Sequence, residues 1–383
     1  MAETKTETEP RTHSRVNAGR SPAAILLIGL LGLAGMIYLL WPKPPAIQHG
    51  ELSEAGSVWK IETGRAALTG PTMGTGFTVM LAGEDFEPAR LAQLQAEIDA
   101  ELAAVNAEMS TFIEDSELSR FNRFAPAQDF AASAHLFEIV ALAKQVSEQS
   151  GGAFDVTVGP LVDAWGFGPD PREHRELNDA EIHRLQAVVG DDKLEVDPAT
   201  GSLRKTVAGL RVDLSAIAKG HGCDRVATVI DAAGYENYMV EIGGEVWAQG
   251  SSPSGEAWKI GVERPTGDAN GSRAVQSIVK VSNVGVATSG DYRNYWEQDG
   301  VRYSHTIDPR TGRPITHKLV SITVVHPEST ALADAWSTAL NVLGPIEGPA
   351  LAEQLGLAAY FLVRTDSGFE AHSTPSFAAY AAR

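Results

Sequence analysis

GVATSGDYRNYWEQDGVRYSHTIDPRTGRPI, residues 285–315, is the stretch on which the reading of this chain turns. It predicts two short strands, residues 281–286 and 301–307. Asp299-Gly300 between them is a two-residue hairpin signal, because both positions tolerate positive φ. Asp308-Pro309-Arg310-Thr311-Gly312 reads as a turn, with proline presetting φ and glycine free to enter the left-handed region. Polar side chains crowd the ends of these elements: Thr288, Ser289, Asp291, Arg293, Ser304, His305, Thr306, Asp308 and Arg310. A plain hairpin needs few of them. Spacing alone leaves two readings open, a decorated surface hairpin and a functional site.

Downstream, residues 319–326 form an apolar strand, and residues 327–343 contain a helix stopped by Gly344-Pro345. On that helix Asp334 and Thr338 lie one turn apart, a pair of hard oxygens that suits Mg²⁺. The periodicity of Leu332, Trp336, Leu340 and Leu343 favours a solvent-facing Asp and Thr instead. The tail, residues 350–383, gives a helix and one or two strands. Upstream, residues 238–242 are a strand ended by Gly243-Gly244, residues 245–249 continue it, and residues 258–263 and 277–283 are further strands. Residues 210–214 read as a strand and 217–233 as a helix. Gly220-His221-Gly222 lacks the third glycine of a dinucleotide fingerprint, because residue 225 is Arg, and Ala218-Lys219-Gly220 is not a P-loop. What remains there is Asp213 and Lys219 near a helix start, either an anion site or a capping Asp with a solvated Lys.

The N-terminal half opens with a glycine-rich turn, residues 72–76, and a strand at 77–81. Residues 87–109 carry a helical stripe of Leu91, Leu94, Ile98, Leu102, Val105 and Met109, read as core packing. Residues 116–122 read as a polar loop and 133–149 as a helix stopped by Gly151-Gly152. Aromatics interleaved with glycines follow at 154–160 and 165–168, then a loop at 169–178. A short helix over 179–188 and a hairpin over 193–206 complete this half.

Several classes are excluded by composition. A formal charge of −18 argues against nucleic acid as a partner. The one cysteine, Cys223, rules out an intramolecular disulfide, a cysteine zinc site and an iron–sulfur cluster. With no clear base beside it, Cys223 reads as a small buried residue. Residues 23–41 hold no charged group, a length that can span a bilayer. A secretory signal has a shorter apolar core and a small-residue cleavage site, which Trp41-Pro42-Lys43-Pro44-Pro45 does not supply. The expectation is an uncleaved membrane anchor with the basic tail, residues 1–22, in the cytoplasm and the remainder outside the cytoplasm. Residues 42–65 read as a spacer.

Thr288-Ser289-Gly290-Asp291-Tyr292-Arg293, followed by Tyr303-Ser304-His305-Thr306-Ile307-Asp308-Pro309, resembles the signature of the ApbE family, the FAD:protein FMN transferases. The resemblance covers residues 69–343. Its blocks stand in the family's order at 72–75, 109–122, 154–160, 165–168, 213–224, 240–245, 287–314 and 333–343. It implies an α+β fold: one ApbE-like catalytic domain over 66–383, of mixed sheets flanked by helices, here preceded by a transmembrane helix. It implies FAD held through Met73, Phe112, Ala153, Phe154, Asp155, Asp213, Lys219 and Thr306. The magnesium site would be Asp334, Thr338 and the main-chain carbonyl of Ala216. Phe112 stands where the family often has Tyr or Trp, and His221-Gly222-Cys223 replaces a commoner Tyr-Ala-Val-like run.

The implied reaction transfers FMN from FAD to a threonine of another protein and releases AMP. Acceptors in relatives are typically subunits of membrane redox complexes, such as the sodium-pumping NADH:quinone oxidoreductase or Rnf-like complexes. The incoming hydroxyl needs a base, for which His305 is the first candidate and Asp308 the second. A magnesium-dependent FAD pyrophosphatase and a non-catalytic FAD carrier remain open alternatives.

Overall fold

The structure is a computed structural model, which describes residues 48–169, 174–264, 274–290, 295–298 and 301–382. The apolar run at 23–41, and Asp291, Arg293, Asp299 and Gly300 of the signature stretch, lie outside the described residues. Among those that are described, no helix is long and apolar enough to cross a membrane.

Ten strands form one sheet, and they lie side by side in chain order. They are β1 (Gln48–His49), β2 (Val58–Glu62), β3 (Arg65–Thr72), β4 (Thr75–Ala82), β5 (Tyr238–Ile242), β6 (Glu245–Gln249), β7 (Val284–Gly290), β8 (Leu319–His326), β9 (Ala358–Thr365) and β10 (Gly368–Ser373). Every neighbouring pair is antiparallel. The α+β class therefore stands, but the expected mixed sheets do not. Each strand pairs with the next strand of the same sheet in chain order, and neighbours run in opposite directions. The one parallel contact among the described residues is the isolated bridge from Val158 to Arg211.

The sheet begins earlier than the expected spacer allowed, since part of residues 42–65 is strand. Val58-Trp59-Lys60-Ile61-Glu62 alternates, Trp59 is buried, and Gly64 takes φ 73° in the tight turn to β3. Seven helices are described: α1 (Pro88–Met109), α2 (Glu117–Arg123), α3 (Ala134–Gln149), α4 (Gly159–Ala164), α5 (Asp179–Gln186), α6 (Ala218–Ala232) and α7 (Thr330–Gln354). Helix α2 occupies the expected polar loop. Ser116 caps it by accepting from the Ser119 amide, and Leu118 and Phe121 face the core three residues apart. The expected strand at 210–214 makes only the bridge at Arg211.

The stripe of α1 is buried in full, as its periodicity requires. With α6 it covers one face of β3–β5 through Leu68, Val79, Leu91, Ile98, Val226, Ile230 and Val240. Helix α7 covers the same sheet further along, against Ala287, Ile322, Val324 and Phe361, and α3 packs against α7. Residues one step along the strands, Val286 and Val325, point to the other face. A separate hairpin, Trp258–Arg264 with Ala274–Val281, closes that face. With both faces covered, β8 is buried along nearly its whole length.

The 285–315 stretch is divided otherwise than expected. Asn283, at φ 58°, separates Val281 from Val284, so residues 281–286 are not one strand. The hairpin is formed by Tyr295–Gln298 and Val301–Ser304, with Gln298 opposite Val301. Ile307–Asp308 then pairs with Arg313–Pro314 across the expected turn, where Gly312 takes φ 69°.

Candidate active site

The N-terminus of α7 is wedged between α6 and β7. A Cβ on Gly220 would lie 2.4 Å from the Thr330 carbonyl oxygen, and one on Gly285 would lie 2.6 Å from Thr330 Cα. Both glycines are thus required by close approach of main chains. Asp224, on α6, caps α7: its Oδ1 accepts from the Thr330 amide at 2.7 Å, and its Oδ2 accepts from Ser329 Oγ at 2.7 Å and the Ala331 amide at 3.0 Å. An anionic side chain there also suits the positive end of the helix. One turn on, α7 presents Asp334 to the start of α6, where Oδ2 accepts from the Gly220 amide at 3.1 Å. Helical register would give that amide to the Ala216 carbonyl, as the next amide, His221, goes to Ile217.

Lys219 completes a buried charged cluster. Its Nζ lies 2.7 Å from Glu245 Oε1 and 3.9 Å from Asp334 Oδ1. Burial works against the Lys219 cation, but Asp334 and Glu245 outweigh it and raise its pKa above the usual range. Burial pushes Glu245 up to about 7 against the pull of Lys219. Asp334 is likewise raised by burial, with Lys219 and the Gly220 amide opposing. Cys223 donates to the Glu245 carbonyl at 3.3 Å, and burial pushes its thiol well up, so it is an inert packing residue. Asp334 is 2% exposed, which removes the solvent-facing reading. Thr338 follows one turn later, with its Oγ1 3.2 Å from Ser289 Oγ on β7.

Met73 reaches the same end of the sheet from the β3–β4 turn. It takes φ 48°, uncommon for a non-glycine residue and a mark of a constrained site. A Cβ on Gly222 would meet Met73 Cε at 2.9 Å, so the bare face of α6 receives this side chain. The 153–155 and 213 segments are joined, since the Asp213 amide donates to the Val156 carbonyl at 2.7 Å. Ala153 and Phe154 are buried. Asp155 and Asp213 each spend an oxygen on a local turn, on Thr157 and Ser215 respectively. Burial raises the Asp155 pKa despite the Thr157 bonds. Phe112 stands apart, 72% exposed on the loop between α1 and α2.

Thr306 is tied to α7 by Asn341, whose Nδ2 donates to Thr306 Oγ1 at 3.4 Å. His305 beside it is half-buried, with Phe167 6.4 Å away edge-on. Nearby, Trp296 is stacked on Tyr303 at 4.0 Å and Trp165 on Tyr303 at 5.8 Å. Asp308 is committed elsewhere: Arg310 donates to it from Nε at 3.0 Å, Nη2 at 2.9 Å and its amide at 2.9 Å. That bidentate pair ties Asp308 into its turn.

The sequence profile of the ApbE family matches residues 73–361. The chain belongs to the ApbE family. It is similar to the FAD:protein FMN transferase of Vibrio cholerae serotype O1, 45% identical over 81% of this chain and 91% of that protein. A second similar protein is the FAD:protein FMN transferase of Haemophilus influenzae, 43% identical over 82% of this chain and 91% of that protein. Among solved structures, the flavin transferase ApbE from Vibrio cholerae superposes with a TM-score of 0.75 at 41% identity, covering 82% of this chain and 99% of that one. The apo flavinyl transferase ApbE of Pseudomonas stutzeri gives 0.73 at 42% identity, covering 82% and 95%. Two residues of this ApbE site escaped the sequence reading. Glu245 had a faint signal in the Gly243-Gly244 pair before it, whereas Asp224 had none, because its partners are more than a hundred residues away.

Proposed function

We infer that this chain is an FAD:protein FMN transferase that uses Mg²⁺ and moves FMN from FAD to a threonine hydroxyl, releasing AMP. The observation that carries the reading is the convergence of Lys219, Asp334 and Thr338 where α6, α7 and the β5–β6 turn meet. Asp334, Thr338 and the Ala216 carbonyl would hold the ion. The set fits: a carboxylate, a hydroxyl and a main-chain carbonyl are hard oxygens, and Mg²⁺ takes its other ligands from phosphate and water. Bound Mg²⁺ would supply charge neutralisation on the pyrophosphate. Lys219 adds a point charge for the same group. Met73 would offer an apolar surface to the flavin rings.

In the reaction, the threonine Oγ attacks the FMN phosphorus, and the bond from that phosphorus to the bridging oxygen breaks. AMP leaves with that oxygen, and the hydroxyl proton passes to His305. Positioning and charge do most of the work in such a transfer. The test is in-gel flavin fluorescence of a denatured acceptor after incubation with FAD and Mg²⁺, with a Thr→Ala acceptor as control. Labelling of the threonine acceptor alone is expected. FAD split to FMN and AMP with every acceptor unlabelled would make water the nucleophile instead.

The apolar run at 23–41 and the basic residues before it support a single-pass inner-membrane anchor, with the catalytic domain in the periplasm. Acceptors would then be flavoprotein subunits of membrane redox complexes of the NADH:quinone oxidoreductase or Rnf-like kind, for which tethering raises the effective concentration. Protease added to intact spheroplasts should remove the domain. Survival there, with cleavage after lysis, would reverse the orientation.

A further inference from the structure

Two buried carboxylates share one cation at this site. Asp334 and Glu245 flank Lys219, and the ammonium sits 1.2 Å closer to Glu245, at 2.7 against 3.9 Å. A lysine lying fully on Asp334 would compete with a divalent cation, because like charges repel strongly in a low-dielectric site. The main chain sets the path of Lys219. Gly243 takes φ 61°, and a Cβ there would lie 3.2 Å from Lys219 Cδ, so the stem passes over the bare glycine to Glu245. Glu245 is the first residue of β6 and 3% exposed. Its Oε2 has no hydrogen-bond partner among the described residues. A charge so placed is costly unless paired.

Resting on the reading of Asp334 as a metal ligand, we propose that Glu245 is a positioning residue for the cation site: it holds the Lys219 ammonium aside and keeps Asp334 open to Mg²⁺. Lys219 is then an internal competitor for Asp334, restrained by its second partner. Removing Glu245 alone should send the ammonium to Asp334 and weaken metal binding. Removing the ammonium as well should restore it.

The experiment uses the full chain without FAD and follows binding of Mn²⁺ by loss of the free-ion EPR signal. Glu245→Gln should raise the Kd roughly tenfold, and Lys219→Met in that background should bring it back to within about threefold of wild type. Glu245→Asp, which keeps the charge, should fall between, and it serves if Glu245→Gln fails to fold. An unchanged Kd in folded Glu245→Gln overturns the proposal, leaving Glu245 as a counterion only. A double variant as weak as the single one also overturns it, making Glu245 a direct ligand. Failure of the wild type to bind Mn²⁺ sinks the metal reading itself. Loss of binding in Asp334→Asn supports that reading independently.

Discussion

His305 and His221 show how differently two histidines of one chain can serve. His305 lies beside Thr306 in the signature stretch, half-buried at the edge of Phe167. If it takes the threonine proton, His305→Ala should bind FAD almost normally and lose roughly 10²–10⁴-fold in rate. Isothermal titration with FAD beside single-turnover kinetics separates the two effects, and joint loss of binding and rate would make it a pocket residue. His221 sits inside α6, and burial, with Arg225 and His135 adding to it, pushes its pKa down to about 4. The folded state therefore resists protonation that the unfolded chain accepts near pH 6.5. Stability from this residue is present above about pH 6.5 and is lost as pH falls towards 4, by about 3 kcal/mol at the limit. His221→Tyr, which removes the imidazole that titrates in this range, should flatten the fall in Tm between pH 6.5 and 4. An unchanged slope would assign the acid sensitivity to another group.

At the level of elements, the junction of α6 with α7 fixes the site. Asp224→Ala removes acceptors from two main-chain amides and a hydroxyl at the α7 N-terminus. Caps are worth about 0.5–2 kcal/mol, and buried amides left bare add to that, so a loss of about 2–4 kcal/mol in urea unfolding is expected. A loss under about 0.5 kcal/mol would show that water replaces the carboxylate. This junction also marks the limit of what the sequence discloses. Local signals were legible: the α1 stripe, and the break at Gly344-Pro345, where α7 is kinked at Gly344 (φ 74°) with the His317 ring against it. Asp334 was misread by periodicity because the first part of α7, residues 330–344, is buried on nearly every side. The clue lay in the small residues Ala331, Ala333, Ala335 and Ala339, which let other elements approach. Helix α2 was hidden because seven residues give too short a window for a period. Glu245 was read as an ordinary strand residue, since its partner Lys219 is set by tertiary packing. The candidate flavin and metal positions come from resemblance to a family; spacing alone leaves Asp213 and Lys219 between an anion site and a cap, and favours a solvent-facing Asp334 and Thr338.

For the whole molecule, the arrangement of the main sheet has a bearing on how the protein is made. A sheet whose strands follow chain order can grow strand by strand as the polypeptide leaves the ribosome. One seam is the exception. β4 and β5 are neighbours through Phe77–Ile242 and Leu81–Tyr238, yet residues 83–237 lie between them. Closing so long a loop costs entropy that rises as (3/2)RT ln n, and pairings distant in sequence slow folding. The β4 edge, Thr75–Ala82, must therefore wait unpaired while the helical excursion is synthesised. In pulsed hydrogen exchange during refolding, amides of β7, β8 and β9 should gain protection before those joining β4 to β5. Simultaneous protection would show that the excursion collapses fast enough to close the seam at once. If the delay is real, this strand is the segment a nascent-chain chaperone would have most reason to shield, because an open edge is where intermolecular pairing begins.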